Sequence, residues 1–77
     1  MPEDLANLDQ KQKDYRAAVD AWIAAIRREE ALASVNHSVA EIDRWEQAGD
    51  DEEEARNHAK AAKKAYEDAL REKFFNF

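Results

Sequence analysis

Two carboxylate–imidazole pairs are the residues best equipped for chemistry in this 77-residue chain. His37 and Glu41 are four apart, and so are Glu54 and His58. At that spacing two side chains share a helix face. Imidazoles and carboxylates on facing helices are how bundle proteins hold iron, manganese or zinc. Glu54-Ala55-Arg56-Asn57-His58 misses the usual Glu-x-x-His spacing of such sites by one residue, and His37 and Glu41 fall on the opposite side of their helix from Val39 and Ile42. His37, Glu41, Glu54 and His58 are therefore candidates for a metal site, set against a plainer reading as surface and boundary residues. No metal or cofactor is expected.

Other chemistry lacks parts. Ser34, Ser38, His37 and Glu41 lie on one short stretch, so nothing holds a nucleophile, a base and oxyanion donors around a pocket. Gly49 is the only glycine, which leaves no phosphate-cradling loop. No cysteine is present, so disulfides and thiolate sites are excluded. The chain reads as non-catalytic.

Lys60, Lys63 and Lys64 form a basic cluster that Glu67 and Asp68 balance one turn later, and the net charge is −6. A nucleic acid is therefore not the expected partner. The longest apolar run, Ala21 to Ile26, is far short of the ~20 residues a membrane span needs. Met1-Pro2-Glu3-Asp4 has neither the basic nor the apolar region of a secretory signal. The expectation is a cytoplasmic protein that binds no membrane.

The aromatic residues offer the stronger functional signal. Tyr15, Trp22, Trp45, Tyr66, Phe74, Phe75 and Phe77 carry much of the large apolar area. Most suit a core or an interface between copies, while Trp45 and the terminal phenylalanines could anchor a second protein.

The elements that position these residues are helical. Sixteen alanines, with many Glu, Lys, Arg and Gln residues, favour helix throughout. Leu8, Tyr15, Val19, Trp22 and Ile26 fall within an arc of roughly 60° at ~100° per residue, and Leu5 and Ile23 flank it. Gly49, followed by Asp50-Asp51-Glu52-Glu53, reads as a helix stop and a new helix start. The expected fold is an all-α antiparallel hairpin. Its long first helix runs over about 4–48, with a kink at 34–38 as a variant, and its return helix runs over about 51–74. Ser34-Val35-Asn36-His37-Ser38 is poor in helix formers and Ser38-Val39-Ala40-Glu41 fits a capping box. A break there, giving a three-helix bundle, is the alternative.

The chain is expected to form a single helical-hairpin domain over 1–77. Counting outward from Gly49, the return helix ends near Trp22 and leaves the N-terminal stripe uncovered. A second copy would cover it, giving a homodimer with a four-helix bundle, held as in a coiled coil. Such a chain would act as a structural or protein-interaction module: an adaptor, assembly factor or regulator. The expected interaction residues are Leu5, Leu8, Tyr15, Val19, Trp22, Ile26, Trp45, Phe74, Phe75 and Phe77. A metal-binding or metal-storage accessory protein is the alternative function.

Overall fold

The computed structural model describes residues 2–33 and 38–75, with side chains from 6–33 and 38–74. Helix α1 spans Pro2–Leu32, helix α2 spans Val39–Leu70, and a π-helical turn follows over Arg71–Phe75. The two helices pack against each other as an all-α antiparallel hairpin. At ~1.5 Å per residue the arms are of similar length, about 46 Å and 48 Å.

The reversal lies between Ala33 and Ser38, and α2 runs unbroken through Gly49. The expected helix bounds of about 4–48 and 51–74 are therefore corrected. The three-helix alternative placed a break correctly at 34–38, but without a second break at Gly49 there are two helices. Magnitudes explain the choice. A glycine inside a helix costs ~1 kcal/mol relative to alanine, whereas five successive residues of the Ser, Val, Asn and His type together cost roughly 2–3 kcal/mol. Ser38 then offers a start. Its backbone is extended (φ −70°, ψ 157°), and its Oγ accepts a hydrogen bond from the Glu41 N–H at 3.2 Å. Such a cap contributes ~1 kcal/mol. Reversal at 34–38 also gives α1 a partner from Leu8 to Leu32, which reversal at Gly49 would not.

The seam repeats at alternating steps of four and three. On α1 the buried and half-buried positions include Leu8, Lys11, Tyr15, Ala18, Trp22, Ala25, Glu29 and Leu32. On α2 they include Ala48, Glu52, Ala55, Ala59, Ala62, Tyr66 and Ala69, and Lys73 of the π-helical turn continues the row. Among the described residues only Ala18, Ala48 and Ala59 are fully buried. Alanines let the helix axes approach closely, but each removes little area from water.

Register follows from pairs across the seam. The Tyr15 and Tyr66 rings lie 6.3 Å apart, Arg28 reaches Asp51 at 3.8 Å, and Glu29 comes beside Gly49. These pairs put Leu32 level with Glu46. The first two turns of α2 thus extend about 10 Å past the end of α1. The overhang expected at the N-terminal end of α1 is at the opposite end of the molecule, on the other helix.

The hairpin measures 57 × 19 × 13 Å, with a radius of gyration of 17.3 Å against about 11.5 Å for a compact chain of this length. Its accessible surface is 6158 Å², where a compact monomer of 8.9 kDa would expose about 4,800 Å². No described helix is long and apolar enough to cross a membrane.

Candidate functional site

Two broad flanks lie on either side of the seam, and they differ in chemistry. One is made of small and polar residues. Asp14, Ala17 and Ala21 of α1 face His58, Ala61 and Ala65 of α2 across a shallow groove. Asp51 and Glu54 continue that flank toward the turn. The other flank opens beside the two tyrosines, where Gln12, Arg16, Val19 and Asp20 line a second groove.

From Val19 the i+4 and i+7 positions on this second flank are Ile23 and Ile26, exposed at 42% and 40%. On α2, helical spacing places Ile42, Trp45, Gly49, Arg56, Lys63 and Leu70 on the same side. Trp45 is 47% exposed and Phe74, in the π-helical turn one step beyond Leu70, is 63% exposed. Among the described residues, five of the six exposed large apolar side chains, Val39 being the sixth, therefore share one flank. The π-helical geometry advances by less than 90° per residue, so Phe74 stays nearly in line with Leu70.

A polar cluster crosses the middle of the seam. Trp22 Nε1 donates to Glu52 Oε1 at 3.5 Å, and Arg56 Nη1 lies 3.8 Å from the same oxygen. Only 16% of the Glu52 side chain is exposed. Arg56 Nε is enclosed with no hydrogen-bond partner. A half-buried polar cluster in a seam otherwise made mostly of alanines and aromatic residues helps to fix register, because slipping by one turn would strand it. The outer surface is laced with single-turn ion pairs, including Asp9–Lys13 at 2.9 Å and Lys64–Asp68 at 2.8 Å. Hydrogen bonding to Asp9 raises the Lys13 ammonium above its ordinary value, and hydrogen bonding to Lys64 holds the Asp68 carboxyl below the usual range.

The expected interaction residues separate into three groups. Leu8, Tyr15, Val19 and Trp22 are half-buried against the second arm and are not an uncovered stripe, because the hairpin closes along α1 from Leu8 to Leu32. Ile26, Trp45 and Phe74 are exposed on the apolar flank. Leu5 belongs to α1 and Phe75 to the π-helical turn by backbone alone, and Phe77 lies outside the described residues. Ile23, Ile42 and Leu70 complete the flank. Ile23 and Ile42 were legible as apolar residues beside or beyond the first stripe, but their meeting on one flank depended on the register.

The metal candidates do not converge. Reversal at Gly49 would bring Glu41 and His58 to similar height on facing helices. With α2 continuous they are on the same helix, seventeen residues and about 26 Å apart. Glu54 and His58 share the alanine-rich flank, both exposed. His37 lies outside the described residues. Among the described residues no group of three His, Asp or Glu side chains is placed to hold a metal ion.

Comparison with known protein families, with characterised proteins and with solved structures yields no match for this chain.

Proposed function

We propose that this chain is a non-catalytic protein-interaction module of the cytoplasm, an adaptor, assembly factor or regulator. It acts through recognition by a helix face, and it homo-oligomerises. The observation that carries the reading is that among the described residues alanines alone are fully buried, while Ile23, Ile26, Ile42, Trp45 and Phe74 remain exposed on one flank. A two-helix slab has no second layer to cover such a flank, and domains ordinarily bury it against another element. The surface excess over a compact monomer, about 1,300 Å², is of the size that a standard interface buries. The alternating steps of four and three in both helices favour coiled-coil packing, which readily extends to four helices.

Sedimentation across a dilution series tests the reading, with helicity followed by circular dichroism. A concentration-dependent shift from a two-chain species is expected, with helicity falling as the species dissociates. A fully helical monomer that stays monodisperse at every concentration, and exposes Trp45 to solvent throughout, would refute the self-association.

A further inference from the structure

Resting on the proposed self-association, we infer that a second copy covers the apolar flank, related by a two-fold axis that runs across the helices, with the two turns at opposite ends of a four-helix assembly. Three features of the hairpin lead there. They are the overhang of α2, the placement of the exposed apolar residues along it, and the separation of charge within it.

The broad flank measures 57 × 19 Å, close to 1,100 Å² in projection. A stable interface needs about 800 Å² from each partner. The flank is thus large enough for a symmetric dimer without any further element. Two isologous arrangements lay this flank against itself. In one the two-fold axis runs along the helices, α1 of each copy lies over α2 of the other, and both turns are at the same end. In the other the axis runs across the helices, α1 lies over α1, α2 lies over α2, and the turns are at opposite ends.

The overhang separates them. Ile42 and Trp45 are on the part of α2 that extends past the end of α1. With the turns together, the helix above them would be the partner's α1, which ends at Leu32 and stops short in the same way. Both side chains would stay in water. With the turns apart, the partner's α2 continues over them. An axis near the middle of α2, level with Asn57 and His58, sets Ile42 beside the partner's Phe74 and Trp45 opposite the partner's Leu70. The same axis meets α1 near Trp22 and Ile23, so Ile23 packs near its own copy and Ile26 faces the partner's Val19. Every exposed large apolar residue of the flank then has an apolar partner.

Charge selects the same arrangement. Residues 39–54 of α2 hold eight carboxylates and one cation, Arg44, for a net charge of −7. Residues 55–75 hold six cations and three carboxylates, for a net charge of +3. Turns together would gather both acidic halves at one end. Turns apart set each acidic half over the partner's basic half, bringing Glu53 opposite the partner's Lys63. Complementary potentials of this kind fix orientation and penalise the alternative.

The chain has no cysteine, so a single engineered thiol reports cleanly. Asp43 is exposed and, eighteen residues before Ala61, lies on the alanine-rich side of α2, away from the apolar flank. A spin label on Asp43→Cys should give an inter-copy distance of about 40–45 Å, the rise of some thirty residues. A distance under about 25 Å, which neighbouring helix ends would give, would overturn the orientation while leaving self-association intact. Absence of inter-copy coupling in a sample that sediments as a monomer would instead overturn the self-association itself. The flank is checked separately. Ile26→Glu, at an exposed position that the hairpin does not need for folding, should weaken dimerisation at least about thirtyfold, as for a central hot spot. Ala17→Glu on the opposite flank should leave it unchanged, and the reverse result would place the interface on the alanine-rich side.

Discussion

Replacing Gly49 with alanine distinguishes a helix that runs through this position from a chain that turns there, and the two cases differ in sign. At Gly49 the backbone is helical, within α2, and a Cβ built on it would meet nothing nearer than Glu29 Oε1 at 3.9 Å. That is an ordinary van der Waals contact, made with the end of a flexible side chain. Alanine adds helix propensity and removes unfolded-state freedom, which together stabilise by about 0.5–1 kcal/mol. For a chain of this length about 1 kcal/mol raises the melting temperature by roughly 4–8 °C. Urea titration followed by circular dichroism should show a higher midpoint with an unchanged slope, the mark of a pure change in stability. If Gly49 instead occupied a left-handed turn, alanine would destabilise by 1 kcal/mol or more, and a lowered midpoint would refute the continuous helix. Gly49→Pro provides the complementary control. Inside a helix it costs about 3 kcal/mol or more through a lost hydrogen bond and a clash with the preceding turn.

Ser38→Ala removes the oxygen that accepts from Glu41 N–H and should cost ~1 kcal/mol in a urea titration; Ser38→Asp should retain most of it. Tyr66→Ala deletes the partner of Tyr15 in the seam and should cost about 2 kcal/mol, less than a fully buried aromatic residue because Tyr66 is half-buried. The Asp68 carboxyl is held below its ordinary value by Lys64, so its ion pair contributes above the unfolded value and is lost as pH falls through the folded one. Its carboxyl carbon should therefore titrate below 3.8 by NMR, and Lys64→Ala should bring the midpoint back up. An unchanged midpoint in that variant would show the pair to be absent in solution.

Helical class was legible because alanine, glutamate and lysine act locally, and local propensity summed over thirty residues outweighs tertiary detail. The Ser38 cap was legible for the same reason, since Ser38 and Glu41 signal a helix start within a single turn. The position of the reversal was not. Gly49 was read for the conformations it permits, although permission costs a helix only ~1 kcal/mol and does not oblige the chain to turn. The weaker-looking tract from Ser34 to Ser38 prevails by accumulation. That one shift moved the overhang from the first arm to the second and took Glu41 and His58 from facing helices to a single helix. It also turned Tyr15 and Trp22 from candidate docking residues into seam residues. The apolar flank could be found in part, as Ile26, Trp45 and Phe74, but its unity depended on register, which arises only when two distant stretches meet.

The near-equal arms also govern how the hairpin forms. Glu29 and Gly49 are twenty residues apart along the chain, whereas Tyr15 and Tyr66 are fifty-one apart. Closing the longer loop directly costs about 0.8 kcal/mol more in chain entropy. Once the shorter one is closed, each further turn needs only a few more residues. Assembly is therefore expected to run as a zipper from the Ser38 end toward the termini, with loss of structure in the reverse order. Amide hydrogen exchange should show protection that declines from Ala48 toward Ala69, and a flat profile would mean that the arms open as one unit.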